Sequence, residues 1–406
     1  MLAALAWRNL WRRKIRTWLS VASMAFATAL LVFMLSFQLG SYATMKANAL
    51  RLFEGFARIE PAGYTDDPDV RRMIADPEAA AAAARKVPGV SAAAPRAAAY
   101  VILANGERSY GAALDGVDPA REPRVSTLSA TIRQGRYLKE GDDDAIVLGD
   151  ALARDLGLKL GDRVTVLGSA ADQTVAADSL RLVGVFHTGL GDVDRQVAEM
   201  PLARFQDTFA MYGAANVVVL GGESLGEVTR ALPAVRAALG DKSLKVQDWG
   251  ALMPGLKQAI TLDFSTSMFW YASLVVVVAF IILNTLIMSA LERTREFGML
   301  LALGMRAEKI AGMMWLEMLF LAVMGAGAGI AVGGAATLWF EGHGIAIAGL
   351  EGLMAQWGLP GRIYPTLSAV SALSGPLAIV ASVALGGLIP YGRVRALKPV
   401  AAMRAA

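Results

Sequence analysis

Side chains that could do chemistry are few in this sequence. The acidic run from Asp142 to Asp144 offers oxygen ligands of the kind that hard cations prefer, although such a run is more often a solvated turn. His187 stands between Phe186 and Thr188, in a pattern that favours a strand residue over a metal ligand. The chain has 2 histidines and 0 cysteines. We therefore predict no catalytic site, no metal site and no cofactor in this chain.

The composition predicts a membrane protein with a large water-exposed part. With 55% hydrophobic residues, the chain is too apolar for a soluble protein and too polar for one buried entirely in a membrane. The formal net charge of +4 does not indicate a nucleic-acid partner, because the basic residues flank long apolar runs, where they set topology. The phosphate-binding pattern G-x-x-x-x-G-K-[ST] is absent, so the sequence contains no ATP-binding motif of this kind.

The strongest candidate site is a charged connector between two apolar runs, residues 292–309. Its sequence, ERTREFGMLLALGMRAEK, carries four basic and three acidic residues. The connector is too short to form a domain, and Gly304 is a plausible helix stop because glycine readily adopts the left-handed conformation at a helix end. We predict a short charged helix at a membrane surface, through which force enters the protein.

Four apolar runs are long enough to cross a bilayer, which needs about 20 apolar residues in a helix. They cover residues 18–39, 268–291, 310–340 and 367–390. Glu317 is the one charged residue in the third run, where an unpaired carboxylate is costly in lipid. It is expected either to pair with an arginine of the connector or to belong to a coupling element.

A stripe of glycines in the third span predicts close helix packing. Gly325, Gly329 and Gly333 recur every four residues, which places them on one face of a helix. Small residues on such a face let two membrane helices approach closely.

Aromatic residues in the first span form a second candidate surface. Phe26, Phe33 and Phe37 fall roughly on one helical face. Packing against lipid is the ordinary role of such residues. The alternative is a hydrophobic cargo surface shared with Val277 and Ile281, on the facing side of the second span.

The distribution of basic residues orients the chain. Residues 1–17 contain five basic residues and no acid, interleaved with Trp7 and Trp11, which is typical of an amphipathic helix on a membrane surface. The apolar run that follows is longer than the ~7–15 residues of a signal-peptide core, so we predict an uncleaved anchor. With the connector and residues 391–406, the cytoplasmic side carries thirteen basic residues against three acids.

A large outer domain is predicted between the first and second spans. Residues 57–248 alternate helix and strand patterns, and residues 127–201 are richer in strand signals, which predicts an α+β domain with a β-rich insert. Residues 40–56 and 249–267 are expected to form a two-helix stalk, and residues 341–366 an outer loop. The predicted fold class is an α-helical membrane protein with four transmembrane helices and a large extracytoplasmic α+β domain.

This organisation resembles the MacB/FtsX-type permeases of ABC transporters at three places. The N-terminal AWRNLWRRKIRT is similar to the first cytoplasmic helix of the family, and ERTREFGMLLALGMRAEKI is similar to its most specific signature. The ending ALKPVAAMR is similar to the family's tail. The middle stretch TIRQGRYLKEGDDDAIVLGDALARDLGLKLGDRVTV resembles the outer domain of the lipoprotein-releasing LolC/LolE branch.

The resemblance implies a non-catalytic permease subunit in the bacterial inner membrane. Its implied partners are a cytoplasmic ABC ATPase dimer that binds ATP and Mg, and a second permease copy or a sister permease. A periplasmic carrier or adaptor protein and membrane lipids are further expected partners. The coupling residues that the resemblance implies lie in the connector: Glu292, Arg293, Glu296, Gly298, Leu300, Leu303 and Gly304.

Several functions are compatible with this resemblance. The first is extraction or release of a lipoprotein or another hydrophobic cargo from the inner membrane, driven by the partner ATPase. The alternatives are a non-transporting mechanotransmission permease that regulates a periplasmic partner, and a permease for drug or peptide efflux. A cargo-sized apolar cavity among the membrane helices would favour transport.

Overall fold

The computed structural model describes residues 2–241, 243–346 and 362–395. The chain divides into two compact units. The membrane unit comprises the chain up to Tyr42, Ile260–Ala346 and the residues from Arg362 onward, and the outer domain comprises Ala43–Ala259. Residues 347–361 of the predicted outer loop and residues 396–406 of the predicted tail lie outside the described residues.

Helices occur in both units. The α-helices of the described residues are α1 (Leu2–Leu10), α2 (Lys14–Ala49), α3 (Pro77–Arg85), α4 (Asp150–Leu156), α5 (Gly191–Gln196), α6 (Leu202–Thr208), α7 (Leu225–Ala238), α8 (Trp249–Leu252), α9 (Pro254–Leu291), α10 (Thr294–Ala302), α11 (Ala307–His343), α12 (Ala369–Gly386) and α13 (Leu388–Arg395). A π-helical turn, Leu50–Glu54, follows α2. Most residues of the two predicted stalk segments are therefore helical.

Strands are concentrated in the outer domain. They are β1 (Ala57–Pro61), β2 (Ala92–Asn105), β3 (Arg108–Val117), β4 (Ile132–Gly135), β5 (Ala145–Gly149), β6 (Arg163–Ser169), β7 (Val175–Phe186), β8 (Val197–Pro201), β9 (Val217–Gly221) and β10 (Leu244–Asp248). The membrane unit adds a two-stranded ladder of β11 (Ile345–Ala346) and β12 (Arg362–Ile363).

The membrane unit contains the predicted spans. Four helices of the described residues are long and apolar enough to cross a membrane: Lys14–Glu54, Pro254–Asn284, Ala307–His343 and Ala369–Gly392. A helix satisfies its own backbone hydrogen bonds, which is why long apolar runs adopt this structure in lipid. Each of these helices contains most or all of one predicted span.

The glycine stripe of α11 lies against α2. A Cβ atom added at Gly325 would lie 2.4 Å from Cβ of Met24, and one added at Gly329 would lie 2.4 Å from Cβ of Thr28. Gly333 is similarly close to the backbone of Ala29. Because any side chain would collide with α2, the glycines allow the two helix backbones to approach closely.

One mixed sheet organises the outer domain. Its strand order is β10-β1-β9-β2-β3-β8-β5-β7-β4, and β6 pairs with both β2 and β7. The predicted insert, residues 127–201, contains β4 to β8, and these strands continue the sheet formed by the flanking segments. The parallel pair β3–β8 and the antiparallel pair β2–β6 make this connection.

Helices cover the sheet in two hydrophobic cores. In the first, α4 and α6 contribute Leu152 and Phe205, which pack with Leu114 and Leu148 of the sheet. In the second, α3 and α7 pack on β1 and β9. Fully buried strands such as β5, β8 and β9 have hydrophobic side chains on both faces, as is typical of strands covered on both sides.

A cluster of charged residues is buried inside the outer domain. Arg96 forms an ion pair with Glu122, and its Nη1 donates to the backbone oxygen of Phe53 at 2.8 Å. Asp115 and Glu199 lie opposite each other in the β3–β8 pair. The Tyr137 hydroxyl donates to Oε2 of Glu199 at 2.6 Å. Three buried acids, Asp115, Glu122 and Glu199, thus lie in the same buried cluster as Arg96.

This environment favours the protonated form of two acids. Burial and, to a lesser extent, the nearby charge of Glu122 raise the pKa of Glu199 to about 8. Burial also raises the pKa of Asp115 to about 6, although the charges of Arg96 and Arg58 oppose that effect. Glu199 therefore retains its proton in the folded domain at neutral pH.

The outer domain should lose stability as the pH rises, because Glu199 holds a proton in the folded state that the unfolded chain releases. Between the unfolded pKa, ~4.5, and about 8, the loss should approach about 1.4 kcal/mol per pH unit. Glu199→Gln, which mimics the protonated acid, should flatten this dependence and be the more stable variant near pH 8. Urea unfolding of the full-length protein, followed by pulse proteolysis, measures the free energy of unfolding of the wild type and of the variant at each pH.

The matched control is Glu107→Gln, at the exposed turn between β2 and β3. It should keep the pH dependence of the wild-type protein. Parallel pH profiles for the wild type and Glu199→Gln would show that Glu199 is ionised in the folded domain, contrary to this expectation.

Candidate coupling site

The connector folds around the predicted short helix, α10. Phe297 and Gly298 are buried on its inner side, whereas Met299 and Leu303 are exposed. Gly304 follows the helix with a φ of +89°, a conformation that glycine adopts without strain. The sequence prediction that the helix ends near Gly304 is correct.

Arg293 connects the connector to the third span. Its Nη1 lies 2.5 Å from Oε2 of Glu317, and its Nε lies 3.0 Å from Oε2 of Glu296. The guanidinium also lies 5.4 Å from the ring centre of Phe297. Glu317 thus pairs with a connector arginine, one of the two predicted alternatives.

The second oxygen of Glu317 is held by the N-terminal helix. Nδ2 of Asn9, on α1, donates to Oε1 of Glu317 at 2.7 Å. Burial alone would lower the pKa of Arg293, but the charges of Glu317 and Glu296 hold that pKa above its ordinary value. The carboxylate of Glu317 therefore connects its own span to two other segments, the connector and α1. Sequence analysis did not predict a role for Asn9. The one feature that could have indicated it is a polar amide side chain in an otherwise largely apolar helix.

Further contacts attach α1 and α2 to the same region. Nη1 of Arg16 lies 2.9 Å from Oε2 of Glu292. Oγ1 of Thr17 donates to the backbone oxygen of Leu10 at 2.6 Å, which links α2 to α1 across the intervening turn. A cavity of about 240 Å³ remains here, and its polar lining consists of Asn9, Arg12, Arg16, Thr17, Ser20, Arg293, Glu296 and Glu317.

Aromatic rings complete the attachment of α1. Trp7 packs edge-on against Phe320 of the third span at 5.7 Å between ring centres. Trp11 packs edge-on against Trp7 at 5.9 Å and against Trp18 at 6.1 Å. Trp7, Trp18 and Ile15 also expose apolar surface. This surface matches the amphipathic helix predicted from the tryptophan and arginine pattern.

The implied coupling residues divide into two groups. Arg293 and Leu300 face the rest of the chain: Arg293 pairs with Glu317, and Leu300 packs against the core of the membrane unit. Leu303 and Glu292 are exposed, although Glu292 contacts Arg16. The connector thus has one side that holds it in place and one side that is open to a partner.

The predicted cargo residues do not enclose a cavity in the described part of this chain. Phe33 packs against Phe37 and against Phe340 of the third span, at 5.8 Å between the latter ring centres. The first and second spans meet elsewhere, where Nε2 of Gln38 donates to Oγ of Ser267 at 2.6 Å. The other three candidates are exposed in this chain: Phe26, Val277 and Ile281.

The remaining polar candidates lie in the outer domain. The acidic run is a surface turn whose carboxylates are paired: Asp142 contacts Arg136 at 2.6 Å, and Asp144 contacts Arg181 at 3.0 Å. His187 is not a strand residue, because β7 ends at Phe186. The histidine directly follows the last residue of β7 and lies beside Asp150 and Asp194.

Replacing Arg293 by alanine should destabilise the membrane unit more than replacing Glu317 by glutamine. Arg293→Ala leaves a buried carboxylate without its cation, and breaking such a pair from one side typically costs about 3–5 kcal/mol. Glu317→Gln removes the charge and leaves Arg293 paired with Glu296. The double variant should recover part of the loss. Thermal unfolding of the detergent-solubilised protein measures all three.

A matched control is available on the same unit. Arg395 pairs with Glu308 at 3.0 Å, but both side chains are largely exposed, so Arg395→Ala should have little effect. If Arg293→Ala lowered the unfolding temperature no more than Arg395→Ala does, the buried pair would not stabilise this unit.

Two family models match this chain. The MacB-like periplasmic core domain matches residues 17–235, and the FtsX-like permease C-terminal model matches residues 268–399. The first match alone covers more than half of the chain. Together they include the four membrane spans, the connector and most of the outer domain.

Individual relatives agree with these matches. The lipoprotein-releasing system transmembrane protein LolC of Neisseria meningitidis serogroup B is 26% identical, over 96% of this chain and 94% of that protein. The macrolide export ATP-binding/permease protein MacB of Hyphomonas neptunium is 24% identical, over 77% of this chain and 46% of that protein. The periplasmic region of MacB from Actinobacillus actinomycetemcomitans aligns with 51% of this chain and 94% of that structure, at 15% identity and a TM-score of 0.37.

The order of the membrane spans, the outer domain and the connector along this chain is the order that the two family models describe. The four apolar helices and the large outer domain correspond to the spans and the periplasmic domain of such permeases. This chain therefore belongs to the MacB/FtsX-type family of ABC transporter permeases, as an inner-membrane protein whose outer domain lies in the periplasm.

Proposed function

We propose that this permease transmits ATP-driven motion of a separate cytoplasmic ATPase dimer to its periplasmic domain, and that it thereby releases a lipoprotein or a similar lipid-anchored cargo from the inner membrane. The ATPase binds ATP and Mg, and this chain supplies no catalytic group. A second permease copy or a sister permease completes the membrane part. A periplasmic carrier or adaptor receives the cargo.

The observation that carries the coupling proposal is the two-sided connector. On its inner side, Arg293 connects α10 to Glu317 of the third span, and Asn9 connects the same carboxylate to α1. On its outer side, the apolar side chains of Met299 and Leu303 are exposed. A helix that is held by buried polar contacts transmits a push on its free face to the span behind it.

Exposed apolar residues beside charged ones are typical of the centre of a protein interface. Leu303 has 84% of its surface exposed, which is costly in water unless a partner covers it. Arg306, Glu308 and Lys309 of the connector are also exposed, so charges of both signs lie close to Leu303 in the sequence. The proposed ATPase surface therefore combines an apolar pocket for Leu303 with polar groups around its rim.

Leu303→Asp should weaken binding of the cognate ATPase about tenfold or more, because a charge would replace an apolar contact at the interface. The variant should insert and fold normally, since Leu303 makes no part of the core of the membrane unit. Co-purification and permease-stimulated ATP hydrolysis in nanodiscs measure the effect. Leu300→Asp is a poorer test, because Leu300 packs against that core.

The matched control is Tyr212→Asp. Tyr212 is also 84% exposed but lies in the outer domain, so its replacement should leave ATPase binding unchanged. If Leu303→Asp bound and stimulated the ATPase as the wild type does, the connector would not be the coupling element.

The cargo proposal rests on the lipoprotein-releasing relative and on exposed apolar surface in the first two spans. The LolC protein of Neisseria meningitidis aligns with this chain over almost the whole length of both, although at only 26% identity. In this chain, Phe26 and Val277 are exposed on separate spans. A cargo that contacts both would therefore enter between this chain and a second permease rather than within one chain.

A photo-crosslinking residue at Val277 should capture a lipid-modified protein in cells. Val277 is 54% exposed, and Leu385 of the fourth span, at 70%, provides a control surface of similar character. The crosslinker at Leu385 should capture phospholipid without the lipoprotein. Mass spectrometry identifies both adducts. Capture of phospholipid alone at both positions would contradict the cargo proposal and would favour a mechanotransmission role.

A further inference from the structure

The outer domain brings together three potential metal ligands from two stretches of the sequence, with Asp150 in one stretch and His187 and Asp194 in the other. Asp150 is the first residue of α4, directly after β5, and His187 directly follows β7. Because β5 and β7 are parallel, with Gly149 paired to Phe186, the two strands end side by side. Residues 150 and 187 are therefore neighbours at the same end of the sheet.

The third ligand, Asp194, comes from α5. A Cβ atom added at Gly149 would lie 2.2 Å from the backbone oxygen of Asp194, so only glycine lets α5 approach the end of β5 this closely. This close approach places the Asp194 side chain beside Asp150 and His187. One ligand atom from each of the three residues lies within 4.8 Å of the others.

The donor atoms converge on one point. Nδ1 of His187 lies 3.1 Å from Oδ2 of Asp150 and 3.1 Å from Oδ2 of Asp194. This nitrogen is buried and makes no hydrogen bond with any of the described residues. A buried nitrogen without a hydrogen bond is costly unless a cation or a proton occupies the space between it and the carboxylates.

The Asp194 carboxylate is fixed in place before any ion binds. Its Oδ1 accepts hydrogen bonds from the backbone N–H and the hydroxyl of Thr188, both at 2.8 Å. Its Oδ2 accepts a longer one from the N–H of Gly189, at 3.2 Å. Outer-shell hydrogen bonds of this kind orient carboxylate ligands in metal sites.

Asp150 is held less firmly. Nη1 of Arg154 donates to its Oδ2 at 2.7 Å, and Nη2 lies 3.4 Å from its Oδ1. The Arg154 side chain is 68% exposed, so it can turn into solvent when a cation takes its place. In the absence of an ion, Arg154 offsets the negative charge of Asp150.

We propose that Asp150, His187 and Asp194 form a binding site for a divalent transition-metal ion, with zinc as the best match. Zinc binds imidazole nitrogen and carboxylate oxygen at about 2.0–2.2 Å in a tetrahedral arrangement, which requires donor atoms about 3.3 Å apart. The two separations from Nδ1 of His187 are 3.1 Å, close to this value, and the ligand atoms of the two aspartates lie within 4.8 Å of each other. Magnesium and calcium prefer sites made of oxygen ligands alone, so the imidazole argues against them.

Bound metal would tie together β5, β7 and α5. β5 and β7 already pair along their length, so the metal would add a link between the ends of these two strands and α5. Three protein ligands leave a fourth position for water or for a group from a partner. The site therefore stabilises this part of the periplasmic domain and offers a contact that depends on metal.

The test uses full-length protein in detergent, with any histidine tag removed, because a tag would itself bind zinc. After removal of metal by a chelator, the protein is titrated with Zn²⁺, and with Co²⁺ as a spectroscopic substitute. The wild type should bind one equivalent, and the Co²⁺ form should show the visible absorption of a tetrahedral site. Zinc should also raise the unfolding temperature of the domain, because it binds only the folded site.

His187→Ala and Asp194→Asn should each weaken zinc affinity at least tenfold and abolish the Co²⁺ absorption. His343→Ala removes the other histidine of the chain and should change neither. If His187→Ala fails to fold, Asp150→Asn gives the same readout from a ligand that is more exposed than Asp194. The proposal is overturned if zinc leaves the wild-type unfolding temperature unchanged, or if the His187→Ala variant binds zinc as tightly as the wild type. Either result would show that these three side chains do not form a metal site.

Discussion

The buried ion pair between Arg293 and Glu317 is the constraint on which the membrane unit depends. A carboxylate inside an apolar span is tolerated only when a cation and hydrogen-bond donors satisfy it. Arg293 supplies the cation, and Asn9 supplies a donor from another segment. The electrostatic cost of Glu317 thus fixes the positions of both the connector and the N-terminal helix. An apolar residue at 317 would remove this cost and, with it, the reason for the connector to hold one orientation.

Close packing complements this polar constraint. The glycines of α11 allow α2 to approach so closely that a single methyl group would collide, and this contact is independent of charge. The first and third spans are therefore joined along their length by small residues, and Glu317 joins the third span to α1 and the connector near the cytoplasmic side. A displacement of the connector acts on a pair of helices that are already packed together, rather than on one isolated span.

Local and compositional features could be predicted from the sequence, whereas contacts between distant segments could not. Apolar length predicted the spans, and glycine preference predicted the end of α10 near Gly304. The pairing of Asp115 with Glu199 and the proximity of Asp150 to His187 depend on which strands are neighbours, β3 with β8 and β5 with β7. Strand order is set by packing of the whole domain, so no local pattern around His187 placed Asp150 beside it.

The residues of the connector differ in what they contact: some pack within this chain, and others are exposed. Arg293 matches the family pattern but is occupied within the chain, so its loss would disturb folding whether or not an ATPase docks nearby. Leu303 also lies in the connector, yet it contributes nothing to the core of its own unit. A residue that the fold does not need and that water disfavours is best explained by a partner. Only such outward-facing residues can separate docking from stability, and this is why the proposed coupling rests on Leu303 rather than on the charged residues of the signature.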